Sequence, residues 1–430
     1  MKQVSIGSKG NALFVIESKS PLPSTPKVKD DVYFSITGDK ISPWGDDNLY
    51  PQHVYELASK NSIVPAAIAK RAELLVSAGW ELINKRTKEP IIDGKAAEIE
   101  DWLSDSNFNT YLLEAASDLY WFANFFPEIV RDPLSDKIVA ISAQEAMFCR
   151  YSRQAPNGSI PFCYINANWG ISDEQSFMLK RRVIDRYFRP DQALRQISGT
   201  HFIYPVSYPS PGKTFYQTAT WHSVINSRWL ELSNQIPAFK TALMKNQMTI
   251  KYIVEIAYEY WEFRYPDFNQ VDEATAARYV EQTKEEIEEK LMGVEQAGKT
   301  LFIPTSINQL TNTAVRYINI TPLEDKLKDG AYIEDSQEAS SHLLYALGVP
   351  AALIGNTPGK GGMGAGSGSD VREHLNLYLF SISIHQDLIL EPLNRLVFPY
   401  NGWNDVLIRF KKPFFTTQNQ TPPANRVVGS

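Results

Sequence analysis

Ser341-His342-Leu343-Leu344-Tyr345-Ala346-Leu347-Gly348-Val349-Pro350-Ala351-Ala352-Leu353-Ile354-Gly355, with Gly366-Ser367-Gly368-Ser369-Asp370-Val371-Arg372-Glu373 after it, is the stretch whose reading decides the fold. Seven of the fourteen residues from Gly355 to Gly368 are glycine. Glycine loses the most backbone freedom on ordering, so such a span depends on the two helical arms that place it. On the first arm Ser340, Leu343, Leu344 and Leu347 recur at helical spacing, and Gly348 with Pro350 signals a stop. The second arm is expected to open at Asp370 as N-cap with Glu373 in the capping-box position. It continues through Leu375, Tyr378, Leu379, Ile382, Leu388, Ile389, Leu393 and Leu396, and Pro392 is expected to kink or end it. Leu377, Phe380 and Ile384 make that helix apolar on more than one face, which predicts burial in a packed assembly.

Around this stretch, 430 residues with 43% apolar and 12% aromatic content are enough for two or three cores and exclude a largely disordered chain. No apolar run reaches the roughly 18 residues of a membrane span, and the N-terminus lacks a secretory core, so cytosolic synthesis is expected. The two cysteines, Cys149 and Cys163, have no Cys/His cluster about them and read as reduced, buried thiols. A net charge of -6 argues against a broad nucleic-acid grip, though not against a surface that lets nucleic acid pass.

Residues 1 to 40 read as an extended arm with short strands near 12–16 and 32–36. The turn Ser42-Pro43-Trp44-Gly45-Asp46-Asp47-Asn48-Leu49-Tyr50-Pro51 follows, and an Asx-type turn is preferred there over a metal site. Helical periodicity marks 54–76, 96–103 and 109–124. Strand alternation marks 80–83, 126–131, 138–141, 147–151, 162–165 and 201–204. Pro209-Ser210-Pro211-Gly212-Lys213 looks like a boundary. Beyond it Trp221, Val224, Ile225, Arg228, Trp229, Leu232 and Ile236 trace one long helix bent at Pro237. Strands at 251–257, 300–304 and 314–320 bracket a solvated helix. Between Asp272 and Glu295 eight residues are acidic, Glu281, Glu285 and Glu289 among them, and three are basic. The plain reading of that helix is a surface helix with Glu–Lys pairs.

The chemistry signals are sparse. Gly355-Asn356-Thr357-Pro358-Gly359-Lys360 has the wrong interval and context for a nucleotide loop. The histidines at 53, 201, 222, 342, 374 and 385 form no zinc motif, and His222 and His342 read as polar helix-face residues. No GxSxG elbow occurs. No catalytic residue, metal site or cofactor is assigned, and the chain reads as a non-enzyme.

In their order, these features resemble the portal proteins of tailed bacteriophages. The 43–51 turn with the helix running to Ser77-Ala78-Gly79-Trp80 resembles the opening of the portal wing. The helix at 218–246 resembles the first stem helix, and Gly298-Lys299-Thr300-Leu301-Phe302-Ile303-Pro304 the strand leaving the clip helix. Ser341 to Gly355 with Gly366 to Glu373 resembles the second stem helix, the tunnel loop and the start of the tunnel helix. The resemblance implies an α+β fold divided into an N-terminal arm (1–40), wing (41–217), stem helix 1 (218–247), clip (248–325), stem helix 2 (326–350), tunnel loop (351–370), tunnel helix (371–396) and wing return with tail (397–430). Only about thirty residues follow Leu396, so a minimal or absent crown is expected.

The family implies a homo-oligomeric ring, normally of twelve subunits, at a special capsid vertex of a virion made in a bacterial cytoplasm. Double-stranded DNA would pass through its channel on packaging and ejection. Its other partners would be the terminase large subunit, the head-tail adaptor and the major capsid protein, with no membrane. On this reading Gly359, Lys360, Gly361, Gly362, Gly364, Gly366, Gly368 and Arg372 are the DNA-channel residues. Trp221, Trp229, Leu343, Leu347, Leu379 and Leu388 are candidates for packing between subunits, and Glu281, Glu285 and Glu289 mark the clip. The rival readings are another head-tail connector or baseplate ring and, from a different class, a nucleotide-dependent DNA-processing enzyme.

Overall fold

Pro51 and Pro65 lie in helical first turns, where the missing amide hydrogen costs nothing, and so help set where the first two helices begin. The computed structural model describes residues 2–5, 12–15, 33–36, 39–170, 178–187, 189–247, 252–292, 305–308, 313–322, 331–354 and 368–412. In chain order the elements are β1 (Lys2–Ser5), β2 (Ala12–Val15), β3 (Phe34–Ile36), β4 (Asp39–Ile41), α1 (Tyr50–Ser59), α2 (Val64–Val76), β5 (Trp80–Asn84), α3 (Gly94–Asp105) and α4 (Phe108–Phe122). Next come β6 (Asn124–Arg131), β7 (Ile138–Gln144), β8 (Cys149–Tyr151), β9 (Phe162–Ile165), β10 (Leu179–Val183), α5 (Pro190–Arg195), β11 (His201–Ile203), β12 (Val206–Ser207), α6 (Ser223–Asn226) and α7 (Trp229–Gln247). Then follow β13 (Tyr252–Ile256), α8 (Tyr258–Arg264), α9 (Glu273–Met292), β14 (Thr305–Asn308), β15 (Thr313–Arg316) and β16 (Ile318–Pro322). The last are α10 (Ala331–Leu347), α11 (Ala351–Ile354), α12 (Gly368–Ser381), α13 (Ser383–Pro392), α14 (Phe398–Asn401) and β17 (Val406–Phe410).

The chain divides into two compact units, residues 1–235 with 332–430, and residues 236–331. In the first unit a sheet runs in the order β12-β6-β11-β10-β9-β8, with β7 also paired to β6. All its pairs are antiparallel except β10 with β11. Helices α2 and α4 pack together, and their apolar faces join the sheet in one core that includes Ile68, Leu75, Leu112, Phe125, Ile129 and Phe202. Two polar side chains anchor α13 to this pair. The Tyr111 hydroxyl donates to the Ile389 carbonyl at 3.1 Å, and the Gln386 amide donates to the Leu75 carbonyl at 3.0 Å. Strand β17 pairs with β5, Phe410 opposite Trp80 and Val406 opposite Asn84, so the end of the described chain completes a hairpin-like pair begun more than three hundred residues earlier.

The second unit pairs β13 with β16 and β14 with β15, and gathers a small core of Tyr260, Trp261 and Ile318. Tyr265 stacks on Tyr279 of α9 with ring centroids 4.1 Å apart.

Three local expectations are corrected. The one long helix expected across 218–247, bent at Pro237, is instead divided well before that proline: a 3-10 turn at Thr220–His222 leads into α6, Arg228 at φ +65 separates α6 from α7, and Pro237 lies inside α7. The Trp221 indole donates to the Tyr120 carbonyl at 2.9 Å and fixes the 3-10 turn at the start of the segment to α4. Helix α12 already begins at Gly368, so Asp370 lies inside its first turn and is not the cap. Pro392 does not end the helical path: a π-helical turn at Leu393–Val397 absorbs the lost amide bond and carries the chain on into α14, which closes at Gly402 with φ +91.

Candidate functional site

The acidic turn at 43–51, which read as an Asx-type turn, has that geometry. Asp47 accepts from the Leu49 amide at 3.0 Å, and the Asn48 side chain accepts from the Trp44 amide at 3.0 Å. Its centre is an arginine that sequence reasoning passed over. Arg150, fully buried, donates from Nε to the Asn48 side chain, from one terminal nitrogen to the Met147 and Cys149 carbonyls, and from the other to the Asn48 carbonyl and the Gln52 side chain. The Trp44 and Trp169 rings flank the guanidinium at 5.6 and 5.3 Å. Gly45 and Gly170 make the close approach possible: both have positive φ, and a Cβ on either would sit 2.7 Å from Tyr50 or 2.8 Å from Leu49. The turn is therefore spent on holding α1 against β8.

His222 is also interior and not a residue of a helix surface. Its Nε2–H donates to the Trp121 carbonyl at 2.8 Å, so in the neutral ring Nδ1 accepts from the Tyr50 hydroxyl at 3.0 Å. Burial pushes its pKa down to about 4. His342 stacks flat on Trp229, centroids 3.9 Å apart.

The glycine span from Gly359 to Gly366, with Lys360, lies outside the described residues. Gly368 is the first residue of α12, and Arg372 is half-buried further along the same helix. Trp221, Leu343 and Leu347 are buried in the core of the chain itself, while Trp229, Leu379 and Leu388 pack against it half-buried. The burial of these residues is thus supplied within the chain. What α10, α12 and α13 leave uncovered is a different set: Tyr345 is 88% exposed, Phe380 80%, Leu377 69% and Ile384 60%. The last three were legible as apolar on a second helix face, and their 377, 380, 384 spacing is that of one helical stripe. Beside Phe380 lies a pocket of about 190 Å³ lined by Asn376, Leu379, Ser383, Gln386, Lys411 and Lys412.

A second group of side chains gave no sequence signal. Arg71 of α2 lies over the Tyr120 ring of α4 at 3.9 Å. The Tyr120 ring also meets His385 of α13 at 5.4 Å, and Tyr208 stacks on the other side of that histidine at 5.0 Å. Arg71 Nε, the Tyr120 and Tyr378 hydroxyls and His385 Nδ1 are buried atoms without a hydrogen bond of good geometry, although the two hydroxyls and the guanidinium lie within interaction distance of one another. Burial, with the nearby Arg71 charge, pushes the His385 pKa down to about 4.

In the second unit Glu281 and Glu285 are exposed on α9, Glu281 pairing with Lys284 at 2.9 Å, and Glu289 belongs to the same helix. Cys149 and Cys163 are buried free thiols on neighbouring strands, and burial raises the Cys149 pKa. Among the described residues no group of three His, Cys, Asp or Glu is placed to hold a metal, and no helix is long and apolar enough to cross a membrane.

A subunit from the neck of an empty gene transfer agent particle, reconstructed with C6 symmetry, superimposes at a TM-score of 0.57, with 14% identity over 84% of this chain and 85% of that one. The fold is that of a particle-neck subunit. A neck subunit of the native particle, reconstructed with C12 symmetry, matches at a TM-score of 0.53 with 12% identity, covering 89% of this chain and 87% of that one. The α+β fold expected from the sequence is the fold found, and it is shared with these particle-neck subunits. No protein-family model and no curated protein matches the sequence.

Proposed function

We propose that this chain is a portal subunit: copies of it close into a ring, normally of twelve, at one vertex of a virus-like particle, and double-stranded DNA passes through the hole. The observation that carries this reading is the near full-length likeness of fold to neck subunits of particles that have sixfold or twelvefold symmetry. A ring requires a heterologous interface, in which one patch meets a different patch on the next copy. The exposed stripe of Leu377, Phe380 and Ile384, and separately Tyr345 on α10, supply apolar surface that a lone chain leaves in water.

The span from Gly359 to Gly368, with Lys360 and Arg372, is the proposed DNA-facing element. The exposed acids of α9 are proposed to meet the packaging motor's terminase large subunit and the head-tail adaptor, and the rest of the rim the major capsid protein. The acidic overall balance supports a conduit over a grip, because a wall rich in cations would hold the phosphates. The motor, and not this chain, would hydrolyse nucleotide.

End-on particle images and native mass measurement of the purified full chain test the reading. Closed rings with a central hole are expected; a monomer at every concentration sinks the proposal. Phe380→Asp separates assembly from folding, since that side chain is mostly in solvent within one chain: rings should be lost with the unfolding transition unchanged. Replacing Gly361 and Gly362 by proline should leave rings intact and impair DNA passage, and unimpaired packaging and ejection would remove the channel role from that span.

A further inference from the structure

We propose that the pocket beside Phe380 is the docking site of the chain's own C-terminal segment, with the ring of Phe414 as its occupant. The pocket, of about 190 Å³, is walled by Asn376, Leu379, Phe380, Ser383 and Gln386 of α12 and α13, and by Lys411 and Lys412, which follow β17. Residues 413–430 lie beyond the described residues, so the described chain ends in the wall of the pocket.

The point at which the chain reaches that wall is fixed. Strand β17 pairs with β5 as far as Phe410 opposite Trp80, and the Lys411 amide then donates to the Gly79 carbonyl at 2.9 Å. Pro413 comes next in the sequence; it has no amide hydrogen with which to extend the ladder, and it biases Lys412 towards an extended backbone. Side chains two apart on an extended chain share a side. The proposed path therefore turns Phe414 the same way as Lys412, into the pocket, and Phe415 away from it. Two residues of extended chain span at most about 7 Å, which is the scale of the step required.

The walls suit an aromatic ring. The Gln386 amide already donates to the Leu75 carbonyl at 3.0 Å, and the Ser383 hydroxyl to the Phe380 carbonyl at 3.0 Å. Leu379 and Phe380 supply the apolar contact, and Phe380 is 80% exposed until something covers it. The two lysines can lay their methylene stems along a ring and keep their ammonium groups in water. A cavity of about 150 Å³ holds a benzene molecule, so this one has room for a single phenylalanine ring and not for two. A segment tethered two residues away is present at an effective concentration that a second copy in dilute solution does not reach, which favours the chain's own tail as occupant. Seated there, Phe414 covers the side of Phe380 next to Leu379 and Ser383, while Leu377 and Ile384 stay in solvent. The inference does not depend on ring formation.

The test follows chymotryptic clipping at Phe414 and Phe415 in the full chain by intact mass. Clipping should be slow in the wild type and about tenfold faster in Ser383→Trp, which fills the pocket from its own wall, and the wild-type rate should not change on dilution. The thermal midpoint should fall by about 1–3 °C in Phe414→Ala. It should fall by less than about 0.5 °C when the same change is made in a Leu379→Ala background, because the two side chains are then no longer in contact. If Ser383→Trp fails to fold, Phe414→Ala decides alone. Equal clipping of the wild type and Ser383→Trp, protection that fades on dilution and so belongs to a second copy, or an unchanged midpoint in Phe414→Ala would overturn the proposal. Native mass measurement reads ring formation separately, so either reading can fail without the other.

Discussion

The turn around Trp44 and the cluster around Arg71 both set an arginine among aromatic rings, and the chain treats the two in opposite ways. Arg150 has no exposed surface and every edge of its guanidinium is bonded, whereas Arg71 is half-buried and keeps Nε without a well-formed bond, its polar neighbours being the Tyr120 and Tyr378 hydroxyls. The comparison teaches how little a conspicuous motif says about function in a chain without catalytic motifs. The stretch that stands out in the sequence, with its paired aspartates, is consumed in holding the fold, and the polar atoms without a well-formed bond come from residues more than three hundred positions apart.

The largest effect expected from breaking that contrast comes at Arg150. Arg150→Met leaves the Asn48, Met147 and Cys149 carbonyls without their donor inside the fold, so a loss of about 3–5 kcal/mol is expected in urea unfolding of the full chain. A loss below about 1 kcal/mol would show that the shell contributes little. Gly45→Ala should cost about 2–4 kcal/mol, since it places a Cβ 2.7 Å from Tyr50 at φ +87. Thermal unfolding would read this, and a neutral result would mean that the turn shifts freely.

The two interior histidines sharpen the contrast through pH. His222 and His385 both fall from 6.5 to about 4 in the folded chain, so between those values the unfolded state binds the protons first. Their contribution is complete above about pH 6.5 and is lost as pH falls towards 4, by about 2–3 kcal/mol for each ring. Urea midpoints measured from pH 7 to pH 4.5 should fall accordingly, and a flat profile would mean that the rings are protonated in the fold. The smallest effects form a matched pair. The Tyr216 hydroxyl donates to the Ser42 carbonyl and accepts from the Tyr151 amide, both at 2.8 Å, so Tyr216→Phe should cost about 1–3 kcal/mol. Tyr378→Phe removes a hydroxyl that makes no hydrogen bond of good geometry and should change stability by less than about 0.5 kcal/mol. Equal costs would erase the difference between the two regions.

What was legible in the sequence followed from local periodicity. The apolar faces of α2, α4 and α10, the Gly348 stop with φ +66 and the β6–β7 hairpin are all written in neighbouring residues. The break at Arg228 was not, because the apolar spacing continues across it. Strand β10 reads Leu179 to Val183 with three consecutive cations, and pairing with β9 and β11 makes it a strand: Lys180 lies over Phe162 at 4.6 Å and bonds Asp39 at 2.8 Å. The Arg71 cluster is invisible for a related reason. Each of its members sits at an ordinary helical position, and a cluster assembled from four helices has no spacing to read.

The pairing of β17 with β5 also sets a timetable for synthesis. Trp80 leaves the ribosome some 330 residues before Phe410, a delay of roughly 15–65 s at about 5–20 residues per second, during which β5 is an unzipped edge and Leu82 and Ile83 have no cover. Residues 236–331 are complete while the larger unit still waits for its last strand. A nascent chain of this kind is a client for chaperones until β17 emerges, and a stop codon placed just before Val406 is expected to yield an aggregating product, not a shortened working one.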